Sequence, residues 1–158
     1  MMSALEVAGA AIETYNRHDL DAFERLHNPD ADIEFAGYPD SIDLAEWISV
    51  LDRLFASLPD LTIRPINVLA DDATVVIEMR QFGTNSNATR LDDATRALFG
   101  VDVPGVVVLA IADGRVVGER HHWPPQWFWQ QLGFVSLDVV PTGRATDLAR
   151  AAGRPPRW

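Results

Sequence analysis

Hydrophobic positions in the first third of the chain recur every three or four residues, the spacing of helices that bury one face. Ser3 and Glu6 have the spacing of a capping box and predict a helix that continues to about Arg17. Asp19 is placed to cap a second, short helix over residues 20–26. The pattern is clearest in SIDLAEWISVLDRLFASLPD, which predicts a third helix.

From about residue 61 the period changes to two, which is typical of strands. Four consecutive segments carry this period: LTIRPINVLA, ATVVIEMRQFG, VPGVVVLAIAD and GRVVGERHHW. Asp113-Gly114 is a strong hairpin signal between the last two segments. The polar stretch TNSNATRLDDATRALFGVD predicts a long connection between the second and the third. A short strand is also expected at residues 33–35, after Asn28-Pro29-Asp30 ends the second helix.

This order of elements predicts an α+β fold, with three N-terminal helices on one face of a curved, mainly antiparallel sheet and a pocket between the layers. The length of 158 residues fits a single domain, which we place at residues 1–135. Pro124 and Pro125 can begin a short helix that Gly133 ends. Residues 136–158 have few large apolar side chains and predict a C-terminal extension that the core fold does not need.

Composition narrows the classes of function. A formal charge of -10 disfavours nucleic acid and anionic membranes as partners, because both would repel the protein. With no cysteine, the chain has no disulfide, thiolate metal site or cysteine nucleophile. No stretch approaches the roughly 20 apolar residues of a membrane span, and the N-terminus lacks a secretory signal pattern. A soluble, cytoplasmic protein is expected.

Three segments carry a resemblance to a known family: YNRHDLDAFERLHNPDADIEFAG, FGTNSNATRLDD followed by VPGVVVLAIADGRVVGERHHW, and WQQLG. In their order and spacing, the chain resembles the SnoaL-like polyketide cyclases of the ketosteroid-isomerase-like (nuclear transport factor two) superfamily. The resemblance implies a cone-shaped α+β barrel with an internal apolar cavity. It also implies a lyase or isomerase that closes rings in polyketide intermediates without a metal or organic cofactor.

The resemblance further implies a homodimer formed through the outer face of the sheet. Val106, Val108 and Val116 are expected on that face, where they would leave an apolar patch exposed in a monomer.

At the positions of the family's acid/base groups, this sequence departs from the family. The key aspartate, on the strand after the Asp-Gly hairpin, matches His121. A histidine that some members carry on the preceding strand matches Val107. The carboxylates of ketosteroid isomerase match Phe35 and the residues around Val107. Steroid-type isomerisation with its usual residues is therefore not expected.

Alternation along the last strand separates the adjacent histidines, because successive side chains face opposite sides of a sheet. The family match places one set in the cavity, namely Val117, Glu119 and His121, and directs the other set outward, namely Val116, Gly118, Arg120 and His122. A metal site is not expected, since zinc needs three or four convergent ligands. The other two histidines, His18 and His27, lie in a different part of the chain.

His121 and Glu119 are the candidate catalytic residues. Histidine changes charge near neutral pH, so His121 could move a proton while Glu119 orients its ring or acts as a separate acid. The alternatives are a structural strand histidine and a solvated carboxylate, or one paired with Arg120. Tyr15 and Gln81 could bind a substrate oxygen, or could be a core tyrosine and an amide bonded to the backbone. The other expected substrate-binding residues are apolar: Phe35, Trp47, Met79, Val107, Trp123 and Trp127.

These features predict a cofactor-independent enzyme that cyclises a hydrophobic polyketide-like molecule by acid/base chemistry or by imposing a reactive shape on it. Other reactions in the same cavity stay open, namely isomerisation, dehydration, epoxide opening and cofactor-free oxygenation. A non-catalytic ligand carrier or dimerisation module is a further alternative.

Overall fold

The computed structural model describes residues 2–84 and 100–124, together with Phe128 and Gln131. That part of the chain contains three helices and six strands in the order α1 (Ala4–Asn16), α2 (Leu20–Arg25), β1 (His27–Phe35), β2 (Ile42–Asp43), α3 (Leu44–Ser57), β3 (Thr62–Ala70), β4 (Thr74–Thr84), β5 (Gly100–Ala112) and β6 (Arg115–His122). The three predicted helices and the four predicted consecutive strands are confirmed.

Each helix begins at a side chain that accepts a hydrogen bond from an otherwise unpaired backbone N–H. At α1 the capping box is complete, because Ser3 accepts from the Glu6 backbone and Glu6 accepts from the Ser3 backbone. Asp19 caps α2 as predicted, and Asp43 caps α3. At its other end, α1 is joined to β3 by two hydrogen bonds between the Asn16 amide and the backbone of Ile63.

The strands form one curved sheet in the order β2-β1-β6-β5-β4-β3. All neighbours are antiparallel except β1 and β6, which are parallel. Within the described residues the sheet is not closed, since β2 and β3 are its edges. The α+β architecture predicted from the sequence is confirmed.

Strand β1 is longer than the three residues predicted. It begins at His27, so residues 28–30 lie within the strand instead of separating it from α2. The pairing register of β1 with β6 shifts between His27 and Asp32, and Pro29 lies in this irregular part. A bulge tolerates proline because the residues in it need not donate to a neighbouring strand.

A second bulge changes which side chains of β6 face the helices. Ala110 pairs with Gly118 but Ile111 pairs with Val116, which leaves Val117 without a partner on β5. One inserted residue inverts the alternation on its far side. Val116 is therefore fully buried and Val117 only partly so, and the prediction that placed Val117 inside and Val116 outside is wrong. Beyond the bulge the prediction is confirmed: Glu119 and His121 are buried, and Arg120 and His122 are exposed.

The helices cover the concave face of the sheet, and the core there has two parts. The aliphatic cluster lies beneath α1 and contains Ala4, Val7, Ala8, Val75, Ile77, Met79, Val107, Leu109, Ile111 and Val116. The aromatic cluster lies around α3 and β1, and its buried rings are Tyr15, Phe23, Trp47, Phe55 and Phe128.

Several predictions fall outside the described residues. They are the polar connection, the role of Trp127, the domain boundary at residue 135 and the C-terminal extension. Of the short helix expected after Pro124, only Phe128 and Gln131 are described, and both are helical. No described helix is long and apolar enough to cross a membrane.

Candidate functional site

The site is centred on Glu119, a carboxylate of β6 that is only 3% exposed. Its Oε1 lies 2.6 Å from Nε2 of His27, and its Oε2 lies 2.6 Å from Nε2 of His121. The first contact joins residues 92 positions apart in the chain and exists because β1 lies parallel to β6. We refer to His27, Glu119 and His121 as the buried trio.

The environment of Glu119 keeps it ionised. Burial alone would raise the pKa of its carboxyl group, since a charge is costly away from water. The hydrogen bonds that His121 and His27 donate to the carboxylate outweigh burial and lower the pKa to about 2. Glu119 is thus neither a solvated carboxylate nor a partner of Arg120, which is exposed, and the alternative reading of this residue is wrong.

His121 has one bonded nitrogen and one without a partner. Nε2 faces Glu119, whereas Nδ1 is buried and makes no hydrogen bond to any described residue. The ring stacks on Phe35, with centroids 4.8 Å apart, and meets Trp47 edge-on at 5.2 Å. In the sheet, His121 pairs with Phe35 of β1 on one side and Val107 of β5 on the other. The three positions that match the family's acid/base groups therefore meet at one place.

A small inner cavity of about 40 Å³ lies between the helices and the sheet. This volume admits a water molecule or a small chemical group, because one water needs at least 10–15 Å³. Besides Glu119 and His121, two polar side chains line the cavity, Tyr15 and Gln81, and both are buried. Neither forms a side-chain hydrogen bond within the described part of the chain. Burial, reinforced by the negative charge of Glu119, raises the pKa of the Tyr15 hydroxyl, so it remains a hydrogen-bond donor.

A larger outer pocket of about 320 Å³ lies on the other side of Trp47 and His121. Its volume is within the 300–1,000 Å³ typical of sites for small molecules. Trp47 and His121 line both spaces and form the wall between them. Like Nδ1 of His121, Nε1 of Trp47 is buried without a hydrogen-bond partner among the described residues. Most of the other lining side chains are apolar, including Phe35, Ile42, Val50, Leu54, Trp123 and Phe128.

The structure thus brings together most of the residues proposed from the sequence. Tyr15, Met79, Gln81, Val107 and Glu119 line the inner cavity, Phe35 and Trp123 line the outer pocket, and Trp47 and His121 line both.

The sequence reasoning missed His27, which it assigned to a part of the chain away from His121. Only the parallel pairing of β1 with β6 brings the two histidines to one carboxylate, and the sequence has no local signal for that pairing. Although the trio is a cluster, no group of three His, Asp or Glu side chains among the described residues has an arrangement that could hold a metal ion.

Comparison with known proteins identifies the family. The family model for the SnoaL-like domain matches residues 8–119. The chain belongs to the SnoaL-like domain family. No curated protein matches the chain.

Solved structures share the fold. A candidate polyketide cyclase from Xanthomonas campestris is 24% identical, with a TM-score of 0.67 over 82% of this chain and 96% of that one. A protein with a ketosteroid isomerase-like fold from Catenulispora acidiphila is 15% identical, with a TM-score of 0.67 over 89% of this chain and 100% of that one. An LEH-like epoxide hydrolase from M. tuberculosis is 16% identical, with a TM-score of 0.62 over 80% and 86%. At these identities the likeness shows the fold alone.

Proposed function

We propose that this protein is a cofactor-independent enzyme that closes a ring in a hydrophobic, polyketide-like molecule by proton transfer at His121. The observation that carries the proposal is the asymmetric bonding of this ring. Glu119 holds Nε2, while Nδ1 is buried without a hydrogen-bond partner among the described residues, in a side chain that lines the outer pocket.

The contact with Glu119 gives His121 the arrangement of a general base. An ionised carboxylate can only accept, so the Nε2 proton of His121 stays on that nitrogen. The neutral ring then carries a lone pair on Nδ1, which can remove a proton from a bound molecule. Groups that transfer protons in this way typically contribute 10²–10⁴-fold to the rate.

The surrounding donors suit a substrate with a carbonyl group. When a base removes a proton from the carbon beside a carbonyl, negative charge moves to the carbonyl oxygen and needs a hydrogen-bond donor. The indole N–H of Trp47 shares the pocket wall with His121 and has no hydrogen-bond partner in the described chain. The hydroxyl of Tyr15 and the amide of Gln81 are further donors in the inner cavity.

Ring closure follows from the same proton transfer. Once His121 has removed the proton, the resulting substrate carbanion attacks a second carbonyl carbon of the same folded molecule and forms the new carbon–carbon bond. The proton held by Nδ1 then passes to the alkoxide that results, so the base is regenerated. The aromatic walls of the outer pocket would favour a folded, flat substrate. The family membership and the fold shared with a candidate polyketide cyclase support this reaction class.

We also propose that the protein is a homodimer through the outer face of the sheet. Ile66 and Leu69 on β3 are exposed large hydrophobic residues, and Val106 of β5 lines the same surface pocket as both of them. Burying this surface is favourable in proportion to its apolar area. Sedimentation velocity at micromolar concentration should show a dimer, and a monomer alone would contradict the proposal.

The proposed function is tested with alanine substitutions at the two adjacent histidines, one buried and one exposed. His121→Ala should lower turnover by about 10²-fold or more, the lower range for a lost proton-transfer group. His122→Ala is the matched control, because its side chain is exposed, and it should retain activity. The substrate is the linear intermediate accumulated by a strain lacking this protein, and the product is identified by mass and structure analysis.

A chromogenic probe measures the proton transfer alone. 5-Nitrobenzisoxazole is flat and apolar, and its ring opens when a base removes its C–H proton. The unchanged protein should accelerate this opening and His121→Ala should not. Equal rates for the two proteins, with either substrate, would contradict the assignment of His121 as the base.

A further inference from the structure

His27 is the most deeply buried member of the trio, and every polar atom of its ring has a partner. Its side chain is 0% exposed. Nδ1 lies 2.8 Å from the backbone carbonyl oxygen of Phe23, and Nε2 lies 2.6 Å from Oε1 of Glu119. The Phe23 ring packs against it with centroids 4.4 Å apart. This orientation leaves His27 no access to a substrate, so any role it has must act through Glu119.

The two contacts of His27 determine where its protons are. A backbone carbonyl can only accept a hydrogen bond, so Nδ1 must carry a proton. An ionised carboxylate can also only accept, so Nε2 must carry one as well. A ring that donates from both nitrogens is an imidazolium cation. The short distance to Glu119 agrees with a charge-assisted hydrogen bond.

We propose that His27 is a positioning residue whose positive charge, held against Glu119, leaves His121 neutral and able to accept a proton through Nδ1. Glu119 contacts both histidines, and one negative charge is compensated by one positive charge. With His27 charged, the pair is neutral and a second buried cation on His121 would be uncompensated. Without the charge of His27, Glu119 would favour a cationic His121, whose Nδ1 would already be protonated.

Among the described residues around the trio, the buried polar groups are uncharged and the charged groups are exposed, so the charge balance is set by the three members of the trio. From α1, the buried Tyr15 faces Glu119 and is uncharged, and from β4 the facing polar side chain is the neutral Gln81. The charged and titratable groups nearest to His27 and His121 on α2, α3, β1, β6 and the segment leading to α3 are all exposed, and water screens them; they are Asp21, Glu24, Arg25, Glu34, Tyr38, Asp40, Glu46, Arg115, Arg120 and His122.

The test is side-chain nitrogen NMR on the ligand-free protein at neutral pH, with His27→Gln as the main variant. Glutamine can place an N–H group near the position of Nε2 but carries no charge. In the unchanged protein, His27 should carry two protons and His121 one, on Nε2. In His27→Gln, the Nδ1 resonance of His121 should move from that of a bare nitrogen to that of a protonated one.

A double variant separates charge from packing. His27→Gln combined with Glu119→Gln removes both charges, so His121 should again carry a single proton. His18→Gln is the control, because His18 also bonds a backbone carbonyl, that of Leu61, and its ring stacks on Phe55 instead of bonding Glu119. It should leave His121 unchanged. With 5-nitrobenzisoxazole, His27→Gln should be slower by about tenfold or more at neutral pH and should recover as the pH rises, since the lost base is regenerated.

Two results would overturn the inference, and neither depends on activity. One is a singly protonated His27 in the unchanged protein, which is measurable even if His27→Gln does not fold. The other is a His121 that stays singly protonated in a folded His27→Gln. The inference rests on the proposed function for its use of His121 as a base. Absence of ring opening by the unchanged protein would contradict that function, whereas the NMR result would still test the charge balance.

Discussion

The two halves of the concave face use the same sheet differently. The aliphatic cluster beneath α1 is built from alanine, valine, isoleucine, leucine and methionine. The aromatic cluster is built from large rings and adjoins the buried trio. Both buried side-chain atoms that lack a hydrogen bond in the described residues, Nε1 of Trp47 and Nδ1 of His121, are at the aromatic end.

This contrast suggests a division of roles, in which the aliphatic cluster stabilises the fold and the aromatic end contains the candidate site. A buried polar atom without a partner costs about 1–3 kcal/mol, and a buried charge costs more. The aliphatic cluster avoids such costs, whereas the aromatic end contains two unpartnered atoms and a buried carboxylate. Local departures from optimal packing and pairing are typical of functional sites. The contrast therefore predicts that substitutions in the part of the aliphatic cluster that does not line the inner cavity change stability alone, and that those at the aromatic end also change activity.

The largest expected effect is that of Glu119→Ala. Removing one partner of a buried charged pair costs about 3–5 kcal/mol, because the buried rings of His27 and His121 both lose the carboxylate they bond. Urea unfolding should show this loss together with a loss of ring-opening activity. Glu78→Ala, at an exposed position of β4, is the control and should change neither.

The same variant has a defined pH dependence. The pKa of Glu119 is lowered on folding from 4.5 to about 2, so its stabilising effect is complete above about pH 4.5 and is lost as the pH falls towards 2. The stability difference between the unchanged protein and Glu119→Ala should shrink over this window. A difference that stays constant down to pH 2 would contradict the ionised carboxylate.

In the aliphatic cluster, the substitution to compare with Glu119→Ala is Ile111→Ala. Truncating a buried isoleucine typically costs 2–5 kcal/mol, because the lost contacts leave a cavity. We expect this destabilisation with an unchanged rate per folded molecule. Val108→Ala, at a less buried position of the same strand, should cost less. A specific loss of activity in folded Ile111→Ala would break the separation between the two halves.

Gly105→Ala should affect the outer pocket more than the chemistry. A Cβ at this position would lie 2.8 Å from Cβ of Trp123, which is too close, so Trp123 and the end of β6 must shift. Overpacking of this kind costs about 1–3 kcal/mol. Because Trp123 lines the pocket and the trio lies deeper, KM should rise while kcat changes little. A fall in kcat with KM unchanged would count against this division.

The smallest expected effect is that of Ser3→Ala. Ser3 caps α1, which covers the aliphatic cluster, and it makes no contact with the trio. Loss of such a cap costs about 1 kcal/mol. Thermal unfolding should show a slightly less stable protein with normal activity. Ser3→Asp keeps a capping oxygen and should restore the stability of the unchanged protein.

The helices and strands could be predicted because they depend on patterns within a few consecutive residues. Capping residues and apolar spacing defined α1, α2 and α3, and alternation defined the strands from β3 to β6. The β6 bulge was missed because one extra residue leaves no trace in the alternation of a valine pair such as Val116-Val117. For the same reason, the residues predicted to face inward were correct after the bulge, at Glu119 and His121, and wrong before it, at Val117.

Pairing across the sheet was harder to predict than the elements themselves. The family resemblance brought Phe35, Val107 and His121 into consideration, and the structure places them side by side. His27 could not be found in this way, because its role depends on a parallel contact between the first and the last described strands. Glu119 was identified, but its burial and its two partners depend on that same contact.

The parallel pairing of β1 and β6 also determines when the site can form during protein synthesis. His27 emerges from the ribosome 92 residues before Glu119, so the first histidine of the trio must wait for its carboxylate. At typical synthesis rates of about 5–20 residues per second, that interval is on the order of 5–20 seconds. During this time α1, α2 and α3 can form, but the nascent chain still lacks Glu119 and His121, the other two members of the trio. The trio therefore assembles late, when β6 pairs with β1.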